Sequence, residues 1–325
     1  MNIFVTGATG FLGSHLVPKL IERGHHVTCL VRDAHKADWL THLGARIAAG
    51  DITDRESMRA PLTGIDVVFH VAAWYQVGVK PGQGAQMYAI NVEGTRNTIG
   101  LAAELGVAKI IYTSTIALFG NTHGRVLDES YRAEFGSLTS EYERTKWMAH
   151  YEVALPLAQK GAPIVIVQPG PIVGEGDHSG IPLMYQMYLK RFPIMPGKHS
   201  GLSWTHVDDV AEGHLLALEK GRAGECYILA GQPLTYHEAM QRWAQLTGVP
   251  APKLWLPDGF VGAMARWMGW LERSGVRISP GAEAVRTLAY YTFYGSSEKA
   301  QRELAWQPRP IEETFRSVLH LAQKK

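Results

Sequence analysis

Cysteine is scarce: Cys29 and Cys226 are the only two in 325 residues. Two thiols cannot build a disulfide scaffold or a four-cysteine zinc site, and they fit a reducing, cytoplasmic compartment. An excess of charge of one sign is also missing. Lysine plus arginine number 32 and aspartate plus glutamate 30, so no nucleic-acid partner is expected. No apolar run approaches the roughly 20 residues that span a bilayer. The opening Met1-Asn2-Ile3-Phe4-Val5-Thr6-Gly7 has neither a basic stretch nor a small-residue cleavage site. Secretion and membrane contact are therefore not expected. Histidine is plentiful, yet no His-Glu-x-x-His occurs, so no metal site is expected. What is present is 46% hydrophobic against 19% charged residues, which excludes general disorder and allows a sizeable core.

Short β-branched runs alternate with helical patterns through the first half. Strands are predicted at Ile3–Val5, His26–Arg32, Arg46–Ala49, Asp66–His70, Lys109–Thr113 and Pro163–Val167. Long helices are predicted from about Gln83 to Gly106 and from about Ser140 to Lys160. Thr53-x-x-Glu56 reads as a capping box opening a short helix. Alternation of this kind predicts an α/β fold, a doubly wound parallel sheet with helices on both faces. After Pro169 the pattern changes, and glycine and proline crowd the stretch to Gly201. The expected division is an α/β domain over 1–170 and a smaller, mostly helical lobe over 171–325, with some segments returning to the first.

The first strand runs into Thr6-Gly7-Ala8-Thr9-Gly10-Phe11-Leu12-Gly13, and a helix follows. Glycine permits the tight turn, close approach of backbone to a pyrophosphate, and close packing of helix on strand. The helix N-terminus then offers free N–H groups to the anion. The second strand ends at Val31-Arg32, where an acidic residue would mark NAD(H). Arg32 and nearby Lys36 suit a phosphate, which favours NADP(H), while Asp33 leaves NAD(H) open as a ribose acceptor.

Tyr142 and Lys146 are four apart, so they share one helical face. An ammonium beside a phenol stabilises the phenolate and makes the tyrosine a proton donor or acceptor near neutral pH. Ser114-Thr115 ends the preceding strand, at the edge where open α/β sheets place their sites.

Taken together, the sequence resembles the extended short-chain dehydrogenase/reductase superfamily, of the NAD-dependent epimerase/dehydratase type. The resemblance rests on Thr6 to Gly13, Asp51-Ile52, His70-Val71-Ala72-Ala73, Asn91-Val92-Glu93-Gly94-Thr95, Tyr112 to Thr115, Tyr142-x-x-x-Lys146 and His206 to Val210. Within it, Val31-Arg32 and Pro169-x-x-x-x-Gly174 resemble the dihydroflavonol-4-reductase-like branch. The resemblance implies that Thr115 hydrogen-bonds the substrate oxygen, Tyr142 is the acid/base, and Lys146 holds the nicotinamide ribose and tunes Tyr142. It implies that Gly7, Thr9, Gly10, Phe11, Leu12 and Gly13 carry the pyrophosphate. Asp51 and Ile52 then flank the adenine, Ala72 and Ala73 lie beside the adenosine ribose, and Thr113, Pro169 and Gly170 complete the cofactor contacts. It also implies that the domain over 1–170 is a Rossmann domain and the lobe over 171–325 a substrate lobe, and that the chain forms a homodimer through the two long helices.

Departures from the nucleotide-sugar enzymes narrow the substrate. Pro171 stands where those epimerases usually have asparagine, and Gly201 to Thr205 lacks the usual cation. Ile116-Ala117-Leu118 replaces the dehydratases' acidic pair. The expected partner is therefore a small aldehyde, ketone or alcohol, with Trp74, Tyr75, Met184 and Trp204 lining an apolar pocket. An isomerase or lyase acting on a nucleotide sugar is the rival reading. His206 and Asp208 read as a turn and a helix cap, Cys29 as a core residue, and Trp267-Met268-x-Trp270-Leu271 as core or interface packing rather than a membrane-surface patch.

Overall fold

In a computed structural model, described over residues 1–76, 78, 79, 82–276, 278 and 281–323, the predicted alternation is realised. Side chains at 36 and 320–323 lie outside this description. Strands β1 (Asn2–Thr6), β2 (His26–Val31), β3 (Arg46–Ala49), β4 (Val67–His70), β5 (Lys109–Thr113) and β6 (Ile164–Pro169) are joined by β10 (Cys226–Leu229). They form one sheet in the order β10-β6-β5-β4-β1-β2-β3, and every pairing is parallel. This is the doubly wound Rossmann arrangement. Chain order reverses between β1 and β4, the place where such sheets open a crevice at their carboxyl edge.

β-branched and aromatic side chains cover both faces of the sheet. On one face Ile3, Val5 and Cys29 pack against the helices Phe11–Glu22 and Val207–Lys220 through Leu12, Leu16, Leu20 and Leu215. Trp306, near the other end of the chain, belongs to this same core. On the second face Phe4, Val68, Ile110 and Ile164 meet the two long helices through Ile99, Leu101, Ala149 and Val153. Each fully buried side chain of this size contributes about 1.5–3 kcal/mol. The first long helix runs through Gly84–Tyr88, a π turn Ala89–Glu93, and Gly94–Glu104. The second runs through Glu141–Met148, a π turn Ala149–Ala154, and Leu155–Gln159.

The C-terminal lobe is built around a third core with Tyr185, Tyr188, Trp204, Trp243 and Phe315. Beside its helices it holds a small sheet, in which β9 (Gly201–His206) pairs with β7 (Ile172–Val173), β11 (Gln232–Thr235) and β13 (Thr292–Phe293). A separate pair joins β8 (Ile194–Met195) to β12 (Leu254–Trp255).

Two local expectations are corrected. Thr53 does not cap a helix. Its hydroxyl and its N–H both donate to Asp51 Oδ1 at 2.8 Å, and Asp54 Oδ1 instead accepts from the Glu56 and Ser57 N–H groups. Carboxylates on either side outcompete the threonine for those donors. The core half of the expectation for the tryptophan patch is not met either. Met268 is buried, but Trp267 and Trp270 are 61% and 60% exposed. In the helix Asp258–Arg273 the side facing Ala282, Val285 and Ala289 is taken by Val261, Ala265 and Met268.

Candidate active site

The glycine turn sits at the carboxyl end of β1, beside the β1–β4 switch. Gly7 has φ +75°, and a Cβ there would stand 2.7 Å from the Ala72 nitrogen. A Cβ on Gly13 would stand 2.1 Å from the Gly7 carbonyl oxygen. The turn thus closes on itself and on the segment after β4 in a way that a side chain would prevent. Gly10 caps the helix Phe11–Glu22 with no side-chain acceptor, so the first-turn N–H groups suit an anion. Thr9 and Gly10 are exposed there, Phe11 is half-buried, and Leu12 and Gly13 are buried. A buried relay holds the turn in place: Thr6 Oγ1 meets His70 Nδ1 at 2.8 Å, and His70 Nε2 meets Thr95 Oγ1 at 3.0 Å. Burial pushes His70 down to about 3, so it is neutral in this relay.

Arg32 lies exposed at the end of β2 and makes no ion pair among the described residues. Asp33 Oδ1 accepts from the His35 N–H at 3.1 Å. Lys36 belongs to the short turn Ala34–Ala37, but its side chain lies outside the described residues. Asp51 is half-buried and holds Thr53. Ile52 is buried against Gly94, where a Cβ would stand 2.6 Å from Ile52 Cδ1. Ala72 donates its N–H to Thr6 Oγ1 at 3.3 Å, and Ala73 is exposed next to it.

Tyr142 and Lys146 lie where the spacing put them, in the first turns of the second long helix. A capping box fixes that start: Ser140 Oγ accepts from the Glu143 N–H at 3.0 Å, and Glu143 Oε2 accepts from the Ser140 N–H at 3.1 Å. Lys146 is buried, and its Nζ donates to the Thr113 carbonyl at the end of β5 at 2.8 Å. Desolvation pushes this ammonium down to about 7. Tyr142 is pushed well above the usual phenol range, first by burial and then by Tyr75, and only the Thr115 hydroxyl opposes the rise. The expectation that Lys146 lowers the Tyr142 pKa is therefore not met in the protein without cofactor. The ammonium itself is destabilised by burial, and desolvation dominates at both groups.

Alternation along the strand end separates Ser114 from Thr115. Ser114 turns inward, with Oγ 2.9 Å from His150 Nδ1, while Thr115 points the other way and opens the next turn by accepting from the Ala117 N–H. Pro169 and Gly170 are buried at the end of β6, and Gly170 donates its N–H to the Leu229 carbonyl.

Over Tyr142 stands Tyr75, edge to face with ring centroids 4.9 Å apart. Its segment is held by Asn91, which accepts from the Trp74 N–H at 2.7 Å and donates to the Trp74 carbonyl at 3.1 Å. Asn91 also donates to Thr145 Oγ1, which in turn donates to the Tyr142 carbonyl. One side chain thus ties the Trp74–Tyr75 segment to the tyrosine helix. Asn91 stood in a quoted motif without a role, since its two tethers are distant in sequence. Trp74 and Met184 are half-buried. Trp204 is corrected: it is 1% exposed, its Nε1 donates to the Leu234 carbonyl, and it packs among Tyr185, Tyr236, Trp243 and Phe315. It is core, because β9 lies inside the lobe. Asp177 Oδ2 and Tyr185 Oη are buried with no partner among the described residues. Burial and then the Asp177 carboxylate hold the Tyr185 phenol well above its ordinary value. No sequence pattern marked this pair.

His206 accepts from the Asp208 N–H at the start of the helix Val207–Lys220, the capping role its position suggested. Asp208 also meets His15 Nδ1 at 2.8 Å, which fastens the glycine-turn helix to this one. No group of three or more metal-ligating side chains converges among the described residues.

The family model described as NAD dependent epimerase/dehydratase family matches residues 3–230. A "Putative dihydroflavonol 4-reductase" of Synechocystis is 33% identical, over 98% of this chain and 94% of its own length. The "Sterol demethylase protein B" of Methylococcus capsulatus is 30% identical, over 97% of this chain and 96% of its own. Among solved structures, the crystal structure of gox2253 matches with a TM-score of 0.83 at 34% identity, over 99% of this chain and 98% of that one.

Proposed function

The chain belongs to the NAD dependent epimerase/dehydratase family of extended short-chain dehydrogenases/reductases, and from that premise we propose that it reduces an apolar aldehyde or ketone with NADPH, or oxidises the matching alcohol. The observation that carries this reading is the meeting of Thr115, Tyr142 and Lys146 at the carboxyl end of β5. The Thr115 hydroxyl donates to the carbonyl oxygen and polarises it. Tyr142 gives its proton to the same oxygen, turning C=O into CH–OH as hydride reaches carbon. Its raised pKa keeps that proton in place at neutral pH. When bound, the nicotinamide supplies the hydride, or accepts it in the reverse direction.

The glycine turn fits a dinucleotide, because Gly7 and Gly13 let it close tightly on Ala72 and on itself, while Gly10 leaves the first-turn N–H groups of the following helix without a side-chain acceptor. Gly7, Thr9, Gly10, Phe11, Leu12 and Gly13 would hold the pyrophosphate. Asp51 and Ile52 would flank the adenine, Ala72 and Ala73 the adenosine ribose, and Lys146 the nicotinamide ribose. Thr113, Pro169 and Gly170 complete the cradle. Arg32 is exposed at the end of β2 and makes no ion pair among the described residues, which supports a ribose 2′-phosphate contact and hence NADP(H) over NAD(H). Arg32→Asp is expected to cost about 1.5–3 kcal/mol of NADPH binding, measured by titration, with far less change for NADH. Equal affinity of the unaltered protein for both cofactors would remove the preference.

Trp74, Tyr75 and Met184 support an apolar substrate, as do the names of two relatives, which refer to dihydroflavonol and sterol chemistry. Pro171 and the cation-free β9 leave a nucleotide diphosphate poorly matched. Asp177 Oδ2 and Tyr185 Oη, buried without a partner among the described residues, offer a place for a hydroxyl remote from the carbonyl. A panel of aromatic and alicyclic ketones with NADPH should therefore show cofactor consumption, and UDP-sugars should give no product. Epimerised sugar without net NADPH loss would instead establish the isomerase reading.

A further inference from the structure

The helix Asp258–Arg273 is apolar on two opposite sides. Val261, Ala265 and Met268 face the lobe, while Phe260, Ala263, Trp267 and Trp270 recur at spacings of three and four on the outside. Phe260, Trp267 and Trp270 are 58%, 61% and 60% exposed. Such a stripe is costly to leave in water and marks a contact surface. The β8–β12 pair leads directly into this helix and carries exposed Ile194 and Leu254. The His199–Asp258 pair, 2.5 Å apart, ties the helix start to the same region.

The charges in the segments that carry the stripe are mostly positive. No acidic residue occurs from His178 to Val207, and only Asp258 occurs from Gly248 to Leu271. Asp258 is buried against His199, and Glu272 turns back to accept from the Ala282 N–H. The cations Lys190, Arg191, Lys253, Arg266 and Arg273 are exposed and make no ion pair among the described residues. Several arginines elsewhere are paired, since Arg55, Arg59, Arg96, Arg144 and Arg222 all meet glutamates. Unpaired cations beside exposed tryptophans complement a surface that is anionic outside and apolar beneath. A second copy fits less well, because a two-fold contact would set these cations against their own copies.

We propose that this face of the C-terminal lobe docks on an anionic lipid bilayer, with Phe260, Trp267 and Trp270 entering the headgroup boundary and the flanking cations meeting phosphates. The contact is peripheral, since no helix among the described residues is long and apolar enough to cross a membrane. It differs from the packing role that composition suggested for this patch, and it stands independently of the proposed reaction.

The test uses the full chain and two sets of vesicles, phosphatidylcholine alone and equal parts of phosphatidylcholine and phosphatidylglycerol. Sedimentation with the anionic vesicles, and much less with the neutral ones, is expected, with binding falling as salt rises. Trp267→Ser with Trp270→Ser should weaken partitioning by about tenfold or more, while the thermal midpoint stays unchanged. Arg266→Gln with Arg273→Gln should lower binding to anionic vesicles towards the neutral level, which keeps the test valid even if the tryptophan variant folds poorly. A chain that stays in the supernatant with both vesicles overturns the proposal. So does equal binding by wild type and the arginine variant, or a dimer that the tryptophan variant splits into monomers.

Discussion

Tyr142→Phe is expected to lower turnover roughly 10²–10⁴-fold on a ketone that the wild type reduces. NADPH affinity should be nearly unchanged. The substitution removes only the hydroxyl, so the edge-to-face contact with Tyr75 and the capping box at Ser140 and Glu143 both survive. What disappears is the proton held beside Thr115. Tyr75→Phe is the matched control, because it removes a neighbouring phenol that is not the donor. Steady-state turnover and cofactor titration on the three proteins separate the cases. Wild-type turnover in Tyr142→Phe would place the proton transfer on another group.

Lys146→Met should act in opposite directions on activity and stability. Activity should fall at least as far as for Tyr142→Phe, since on the proposed reading this lysine both holds the nicotinamide ribose and poises Tyr142. The protein without cofactor should become more stable. In the folded chain Lys146 is pushed from 10.5 down to about 7, so between those values the unfolded chain binds more protons. Folding stability in that window therefore rises with pH, and near neutrality the buried lysine is a burden. At 1.36 kcal/mol per unit the burden reaches several kcal/mol, and losing the bond to the Thr113 carbonyl returns about 1 kcal/mol of it. A net gain of about 2–4 kcal/mol is expected for the variant near pH 7, shrinking towards pH 10. Denaturant titrations across that range would show it. Parallel pH curves for the two proteins would mean that Lys146 is not desolvated in the folded chain.

Local signals were the legible part of this molecule. The glycine turn, the strand alternation and the Tyr142–Lys146 spacing each depend on residues a few positions apart, and each appears where the sequence placed it. Most errors came where distant groups decide, while at Thr53 near neighbours compete for the same donors. At Thr53, the carboxylates of Asp51 and Asp54 took the donors that a capping box needed. Trp204 and Trp267 exchanged expected places, because burial depends on which side of a strand or helix has a partner. The outward spacing of Trp267 and Trp270 was readable, but composition alone argued for packing. Asn91, Asp177 and Tyr185 were not readable, since their significance lies in groups from other segments. The tuning of Lys146 was misjudged for a related reason: spacing showed the neighbour but not the dry surroundings.

The core that contains Ile3 and Val5 also contains Trp306, whose Nε1 donates to the Asp209 carbonyl, while Arg309 pairs with the Asp209 carboxylate at 2.9 Å. The last strand of the large sheet, β10, likewise comes from beyond residue 225. On the ribosome the amino-terminal half therefore emerges with an open sheet edge and an uncovered apolar face. It cannot close until nearly the whole chain has been made. That open edge and face favour self-association of the nascent chain until β10 and Trp306 have been made.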